Sequence, residues 1–261
     1  MDWDQSVGVE ANMTGNLEGK CRRPCVSIII ATYNAERYIA DCLHSIAVQR
    51  MRDIETIVID GASTDGTCRV LAEQKSVVDY WISEPDRGIY DAMNKGLDLA
   101  QGEWILFLGA DDRLHDAETL QSALAAAEDW DDLIAGRIMY DNGRVFNPVF
   151  DWRMLIKNCL HHQGTLYRRH LFDHFRYCPE FRISGDYELN LKLFLEQAHC
   201  RLVDTVIADC RAMGISHQTI WQGYGEEIQI RTRHLPHHGL RVVLNMATFL
   251  RYHVKKSLLR R

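Results

Sequence analysis

Two aspartates stand side by side, Asp111 and Asp112, shortly after the apolar run Trp104-Ile-Leu-Phe-Leu108. Adjacent carboxylates repel each other, and a divalent cation relieves that repulsion. Mg2+ and Mn2+ favour oxygen ligands and are commonly shared with substrate phosphates. The competing reading is that one of the pair caps the following turn and helix. A third aspartate, Asp60, closes another apolar run, Ile54 to Ile59, and leads into Gly61-Ala-Ser-Thr-Asp-Gly66. That loop, which contains Ser63 and Asp65, resembles a phosphate-binding turn. It is not a Walker A loop, because Thr67 stands where the lysine must be. No G-x-G-x-x-G follows a strand, so a dinucleotide site is not supported. Asp60 reads best as an acceptor for a base or ribose, and Asp65 alternatively as a cap. Further along, Asp186 and Glu188 offer a general base or an N-cap. His161-His162-Gln163 suggests zinc, but no further Cys or His lies nearby at zinc-ligand spacing, which favours a pocket wall. His217 reads as a surface or core histidine rather than a further ligand.

These groups are far apart in the chain and need a scaffold that gathers them. Val26 to Ala31 is a β-branched apolar run that suits a buried parallel strand. Thr32-Tyr33-Asn34 follows as a loop, and Ala35 to Gln49 has helical spacing. Ile54 to Ile59, Asp79 to Ser83 and Trp104 to Leu108 read as further strands. Helices are expected after Asp65-Gly66, over Asp91 to Ala100 and over Ala117 to Ala127. The alternation predicts an α/β fold with a mainly parallel, Rossmann-like sheet flanked by helices. Ligands of such sheets sit off the carboxyl ends of the strands. Asn34, Asp60 and Asp111-Asp112 all fall there, which turns the balance from caps toward a site. In the second half, Leu133 to Tyr140 and Arg144 to Phe146 are expected to form a hairpin across Asp141-Asn142-Gly143. Tyr187 to Glu196 reads as a helix, Cys200 to Ala208 as a strand, and Leu240 to Leu259 as a basic amphipathic helix.

The 261 residues suit one large α/β domain with a short extension, and 46% hydrophobic with 25% charged residues is ordinary globular composition. Residues 1–24 are polar and aperiodic and are expected to form a flexible leader. The net charge of −6 gives no general attraction for nucleic acid. Beyond Glu227 there is no acidic residue but eight Arg and Lys, so the preceding 227 residues carry −14. A basic tail on an acidic body points to an anionic partner such as anionic lipid. The eight cysteines form no C-x-x-C pair, which suits reduced thiols in a cytoplasmic protein. Neither a signal peptide nor a run of about 18 apolar residues is present.

Four segments carry a resemblance: 26–36 (VSIIIATYNAE), 58–67 (VIDGASTDGT), 83–96 (SEPDRGIYDAMNKG) and 102–112 (GEWILFLGADD). In order, spacing and strand context they resemble the nucleotide-binding half of family 2 glycosyltransferases, which have the GT-A fold. The bacterial enzymes of exopolysaccharide and O-antigen assembly are the most similar. The resemblance divides the chain into a nucleotide-sugar-binding half (25–115), an acceptor-binding half of the same domain (116–227) and a basic helical extension (228–261). It implies that Thr32, Tyr33 and Glu36 line the nucleotide pocket with Ser63 and Asp65, and that Asp60 contacts the base. Asp111 would face the ribose or sugar, and Asp112, with Asp111, would hold Mg2+ or Mn2+ on the diphosphate. Arg87, Asn94 and Lys95 would support the donor or merely open a solvated helix.

Asp186 maps to the family's catalytic carboxylate, the base of an inverting transfer, with Glu188 as its competitor. His162 and Gln163 fall near donor sugar and acceptor. The sequence departs from the family at Gly109, where many members carry Asp, and at Gly185, where Glu is usual. The implied reaction moves a sugar from a nucleotide diphosphate, UDP by default, to a hydroxyl of a lipid-linked saccharide in cell-surface polysaccharide synthesis. Residues 240–261 would then touch the inner face of the plasma membrane. Two other readings stay open: a nucleotidyltransferase, and a non-catalytic sugar-nucleotide-binding scaffold. The first would need a glycine-rich Arg- and Lys-containing loop after the first strand, where Thr32-Tyr33-Asn34 stands.

Overall fold

Four of the apolar runs lie side by side as parallel strands: β1 (Val26–Thr32), β2 (Ile54–Asp60), β3 (Tyr80–Ser83) and β4 (Trp104–Gly109), in the order β3-β2-β1-β4. In this computed structural model, which describes residues 24–212 and 220–258, both faces of these strands are covered. Ile28, Ile30, Val58, Leu106 and Leu108 pack with Ile39, Cys42, Leu43 and Ile46 of α1 (Ile39–Ala47) and Leu71 of α2 (Thr67–Glu73). Their neighbours Ile29, Ile57, Ile59, Ile105 and Phe107 point the other way, onto Tyr90, Met93 and Leu97 of α3 (Ile89–Leu99). Two covered faces explain why the strands are apolar throughout instead of alternating. α3 approaches β1 closely because position 96 is glycine: a Cβ there would lie 2.4 Å from Ile29 Cγ2.

Register brings the strand ends level. Thr32 pairs with Asp60, Ala31 with Gly109, and Asp60 with Ser83. The loops that leave these residues therefore share one rim.

The second half extends the same sheet in the order β8-β6-β9-β5, with β8 (Thr165–Arg168) joined to β4. Here the parallel expectation gives way to mixed pairing. β8 is antiparallel to β4 and to β6 (Leu133–Tyr140), β9 (Cys200–Cys210) is parallel to β6, and β5 (Arg113–Leu114) is antiparallel to β9. The expected hairpin forms between β6 and β7 (Val145–Phe146), turning through Gly143 at φ +79°. β5 and β8 are too short to leave a period in the sequence. α4 (Thr119–Leu124) and α5 (Gly185–Leu195) complete this part.

Two helices close the chain, α6 (Ile220–His234) and α7 (His238–Leu258), packed against each other. The sequence pattern does not announce α6, because charged side chains share its inward face with Ile230. Arg231 is fully buried and donates to Ile156 O (3.1 Å), Asn245 Oδ1 (3.1 Å) and Thr248 Oγ1 (2.6 Å), and its Nη1 lies 3.4 Å from the Tyr187 hydroxyl. Arg251 of α7 adds a bond to Ile156 O at 2.8 Å and pairs with Glu227 at 3.3 Å. One guanidinium thus ties α6, α7 and α5 together. The opposite face of α7 exposes Val243 (63%), Met246 (67%) and Leu250 (66%). Among the described residues, no helix is long and apolar enough to cross a membrane.

Removing a buried, fully bonded guanidinium strands its partners, so Arg231→Met is expected to cost roughly 3 kcal/mol of unfolding free energy. Arg69→Met, which removes an exposed ion pair with Glu36, should cost less than about 1 kcal/mol. Urea denaturation of both variants checks the difference; equal midpoints would contradict the weld.

Candidate active site

At the rim, the loops after β1 and β2 are stitched to each other. Asn34, at φ +50°, donates its N–H to Ser63 Oγ (2.7 Å), and Thr64 N–H returns a bond to Asn34 Oδ1 (2.8 Å). Gly66 N–H donates to Glu36 Oε2 (3.1 Å), and Glu36 N–H to Asp65 Oδ2 (3.1 Å). Asp65 Oδ1 accepts from the hydroxyl of Thr67 (2.5 Å) and from its N–H (2.9 Å). The Thr67 hydroxyl is the main reason its carboxyl is held below the usual range. Asp60 is completely buried and accepts from Ser63 N–H (2.8 Å), Ser83 Oγ (2.6 Å) and the Ser63 hydroxyl. In this arrangement Asp60 organises the loop, and a base would reach its oxygens only by displacing one of these donors. Tyr33 is exposed, and the buried Thr32 hydroxyl has no partner among the described residues.

Next to this rim opens a cavity of about 390 Å³. Gly109, Asp111, Asp112, Tyr90, Asn158, His161, His162, Gln163 and Asp186 all line it. Residues from three distant stretches of chain, Asp111-Asp112, His162-Gln163 and Asp186, are therefore brought together as the sequence suggested. Asp111 is exposed, whereas Asp112 is buried and folds back to accept Gly109 N–H at 3.0 Å. Burial first, then the neighbouring charge of Asp111, push the Asp112 carboxyl up to about 6. Such a pair fits a divalent cation: its oxygens are hard donors, and its mutual repulsion vanishes when a cation binds. Among the described residues no group of three or more His, Cys, Asp and Glu could hold a metal. A cation on Asp111 and Asp112 would accordingly complete its shell with substrate oxygens and water. The glycine at 109 has a physical reason, since a Cβ there would lie 2.7 Å from Asp112 Oδ2 and 3.1 Å from Asp111 Oδ1. Burial also raises the nearby thiols of Cys42 and Cys210, which keeps them protonated and poor ligands.

Asp186 sits in the first turn of α5, with its carboxylate nearly buried. Tyr187 N–H donates to Oδ1 (2.9 Å) and Asn158 Nδ2 to Oδ2 (2.9 Å), while His162 Nδ1 lies 3.5 Å from Oδ2. The Tyr90 hydroxyl donates to Ile183 O (2.9 Å) and lies 3.3 Å from Asp186 Oδ1. Gly185 is explained by the same tyrosine, because a Cβ there would come within 2.8 Å of the Tyr90 ring. His161 is pushed down to about 4 by burial and is neutral near pH 7. The buried His162 Nε2 and Gln163 Oε1 have no hydrogen-bond partner among the described residues.

Other candidates lie elsewhere. Glu188 does not line this cavity; its Oε1 is 3.0 Å from His234 Nε2 and 3.6 Å from Arg233. Asn94 is a latch, giving and taking backbone bonds with Tyr177 (2.8 and 2.9 Å). Arg87 pairs with Asp91 (2.9 Å) and Lys95 with Glu84 (2.6 Å). His217 lies outside the described residues. The sequence reading does not single out Tyr90 or Asn158: Tyr90 lies just ahead of the expected helix over Asp91 to Ala100, although α3 starts at Ile89, and Asn158 stands in an aperiodic stretch.

A level rim of strand-end loops on a parallel sheet extended by mixed strands, beside a carboxylate-lined cavity, is the architecture of the GT-A fold. The glycosyl transferase family 2 model matches residues 27–209, and the chain belongs to that family. A PGL/p-HBAD biosynthesis glycosyltransferase of Mycobacterium tuberculosis is 35% identical over 231 residues, 85% of this chain and 89% of that protein. The structure is similar to that of S. aureus TarS 1–349 in complex with UDP-GlcNAc (TM-score 0.66, 21% identity, 88% of this chain and 72% of that one). It is also similar to the mannosyltransferase PcManGT from Pyrobaculum calidifontis in complex with GDP-Man and Mn2+ (TM-score 0.64, 19% identity, 95% and 72%). At those identities the likeness establishes the fold, and the family establishes a sugar-transferring enzyme.

Gly→Ala in a helix ordinarily stabilises by up to about 1 kcal/mol. At Gly185 the sign is expected to reverse, because the Tyr90 ring must move: Gly185→Ala should cost about 1–3 kcal/mol. Chemical denaturation checks this, and a stabilised variant would refute the packing argument.

Proposed function

We propose that the chain is a metal-dependent, inverting glycosyltransferase that moves a sugar from a UDP-sugar to an acceptor hydroxyl. The supporting observation is that Asp112 and Asp186 line one cavity together with His162 and Gln163. In this reading the loops 32–36 and 60–66 seat the nucleotide. Asp111 and Asp112 hold Mg2+ or Mn2+, which supplies neutralising charge for the departing diphosphate. Asp186 takes the proton of the attacking hydroxyl, its oxygens aimed by the N–H of Tyr187 and the amide of Asn158. His162 and Gln163 form the cavity wall near donor sugar and acceptor hydroxyl. A single in-line displacement inverts the anomeric carbon.

The acceptor we propose is a lipid-linked saccharide of cell-surface polysaccharide synthesis, met by an enzyme at the cytoplasmic face of the plasma membrane. The shape of α7 supports this. Asn245 and Thr248 face inward onto Arg231, while Val243, Met246, Phe249, Leu250 and Val254 face out. A helix that turns apolar residues outward and also carries Lys255 and Lys256 suits an anionic interface.

Incubation with UDP-, GDP- and dTDP-sugars, with Mn2+ or with EDTA, tests the reaction. One UDP-sugar should be hydrolysed or transferred only with metal, and Asp186→Asn should lower transfer by about a hundredfold or more. Full activity of Asp186→Asn, or a product of retained configuration, would remove the mechanism. Sedimentation with anionic and with neutral vesicles tests the helix. The chain should co-sediment with the anionic vesicles, and the triple variant Val243→Ser, Met246→Ser, Leu250→Ser should stay in solution. Binding undiminished in the triple variant would discard membrane contact through α7.

A further inference from the structure

The base proposed above stands at the end of a loop that a residue outside the cavity holds in place. Glu226, in α6, is nearly buried. Its Oε1 accepts Arg182 N–H at 2.9 Å, and its Oε2 accepts Ile183 N–H at 2.9 Å and Ser184 N–H at 2.8 Å. Gln222 Nε2 adds a bond to Oε1 at 3.2 Å. One carboxylate thus collects three successive backbone donors ahead of the first turn of α5, the last of them, on Ser184, in a buried place. These bonds fix the peptide planes of 182–184, and the next residues are Gly185 and Asp186. The carbonyl of Ile183, between two of the clamped N–H groups, accepts the Tyr90 hydroxyl that lies against Asp186. The same loop is steadied by Ser184 Oγ, which donates to Gly223 O at 3.3 Å.

We infer that Glu226 is a positioning residue for transfer: from α6 it sets the direction of the Asp186 carboxylate. The inference rests on the reading of Asp186 as the base. Glu226 does not line the cavity, so its loss should act on the chemical step and spare donor binding. No neutral side chain of the same length can serve all three donors, because an amide offers a single acceptor oxygen. Its other end would bring N–H groups against N–H groups.

The experiment compares Glu226→Gln, Glu226→Asp and Asp186→Asn in the full chain, with kcat, donor KM, UDP thermal shift and unfolding midpoint measured for each. Glu226→Gln is expected to lose about tenfold or more in kcat, with donor KM and the UDP shift within about twofold of the parent. Glu226→Asp keeps a carboxylate and should recover part of kcat even where its midpoint falls as far. A folded Glu226→Gln with unchanged kcat would overturn the inference. So would a loss shared equally between kcat and donor binding, or a Glu226→Asp no better than Glu226→Gln at the same midpoint. Asp186→Asn separates the two levels. If it keeps full activity, the reading of the base has failed. If it is inactive while Glu226→Gln is normal, only the role of Glu226 has failed.

Discussion

Thr32 sits opposite Asp60, Ala31 opposite Gly109, and Asp60 opposite Ser83. The arrangement of the site depends on this parallel register, because it makes three chain exits level. Alternate residues of each strand enter opposite core layers, so a slip of one position would turn Ile28 and Ile30 into the layer of Ile29 and invert both cores. The hydrophobic layers therefore enforce the register, and the register places the polar exits. Asp60, at the end of β2, then joins Ser63 of its own loop to Ser83 at the end of β3. A buried carboxylate with neutral donors on both oxygens is more useful as a brace than as an exposed contact.

The cavity holds two acidic centres with different requirements. At Asp111 and Asp112, burial and like charge make the doubly ionised state costly, as the raised Asp112 carboxyl shows. That cost is what a cation removes. Asp186 carries N–H donors on both oxygens, which fix the direction of its carboxylate. The glycines at 109 and 185 belong to this division. At 109 the absent side chain leaves room for the Asp112 carboxylate to fold over the backbone, and at 185 it leaves room for the Tyr90 ring. Both positions, which depart from the family pattern, are places where a neighbouring side chain occupies the space.

The half of the fold made from local, repeating strand-and-helix units was legible in the sequence. Its strands are short, mainly apolar runs, two of them closed or followed by aspartates, so β1, β2, β3 and β4 and the pair Asp111-Asp112 were all visible. β8 was not, since four residues leave no period. Its pairing with β4 and β6 is a long-range choice made by the sheet. Helix boundaries moved inward at α1 and α4, where the flanking residues sit in turns. Asp186, His162 and Gln163 were found through the resemblance, whereas Asn158 and Tyr90 act through geometry that no spacing announces. Glu188 had the composition of a base and lacks the placement, being held by Arg233 and His234.

α6 shows why the last part of the chain resists a reading by hydrophobic pattern. Beside the buried Ile230, its interior contacts are made by Glu226, Glu227 and Arg231, which would ordinarily be assigned to solvent. They are tolerable inside because each is matched: Glu226 by backbone N–H groups, Glu227 by Arg231 and Arg251, and Arg231 by carbonyl, amide and hydroxyl oxygens. This polar seam draws Asn245 and Thr248 of α7 inward and leaves Met246 and Leu250 outside. The inverted helix is therefore a consequence of the polar seam. Glu226 braces the Asp186 loop, and Arg231 of the same helix determines which face of α7 is offered outward. A change that loosened the seam would disturb both together, which gives the C-terminal helices a physical link to the active centre.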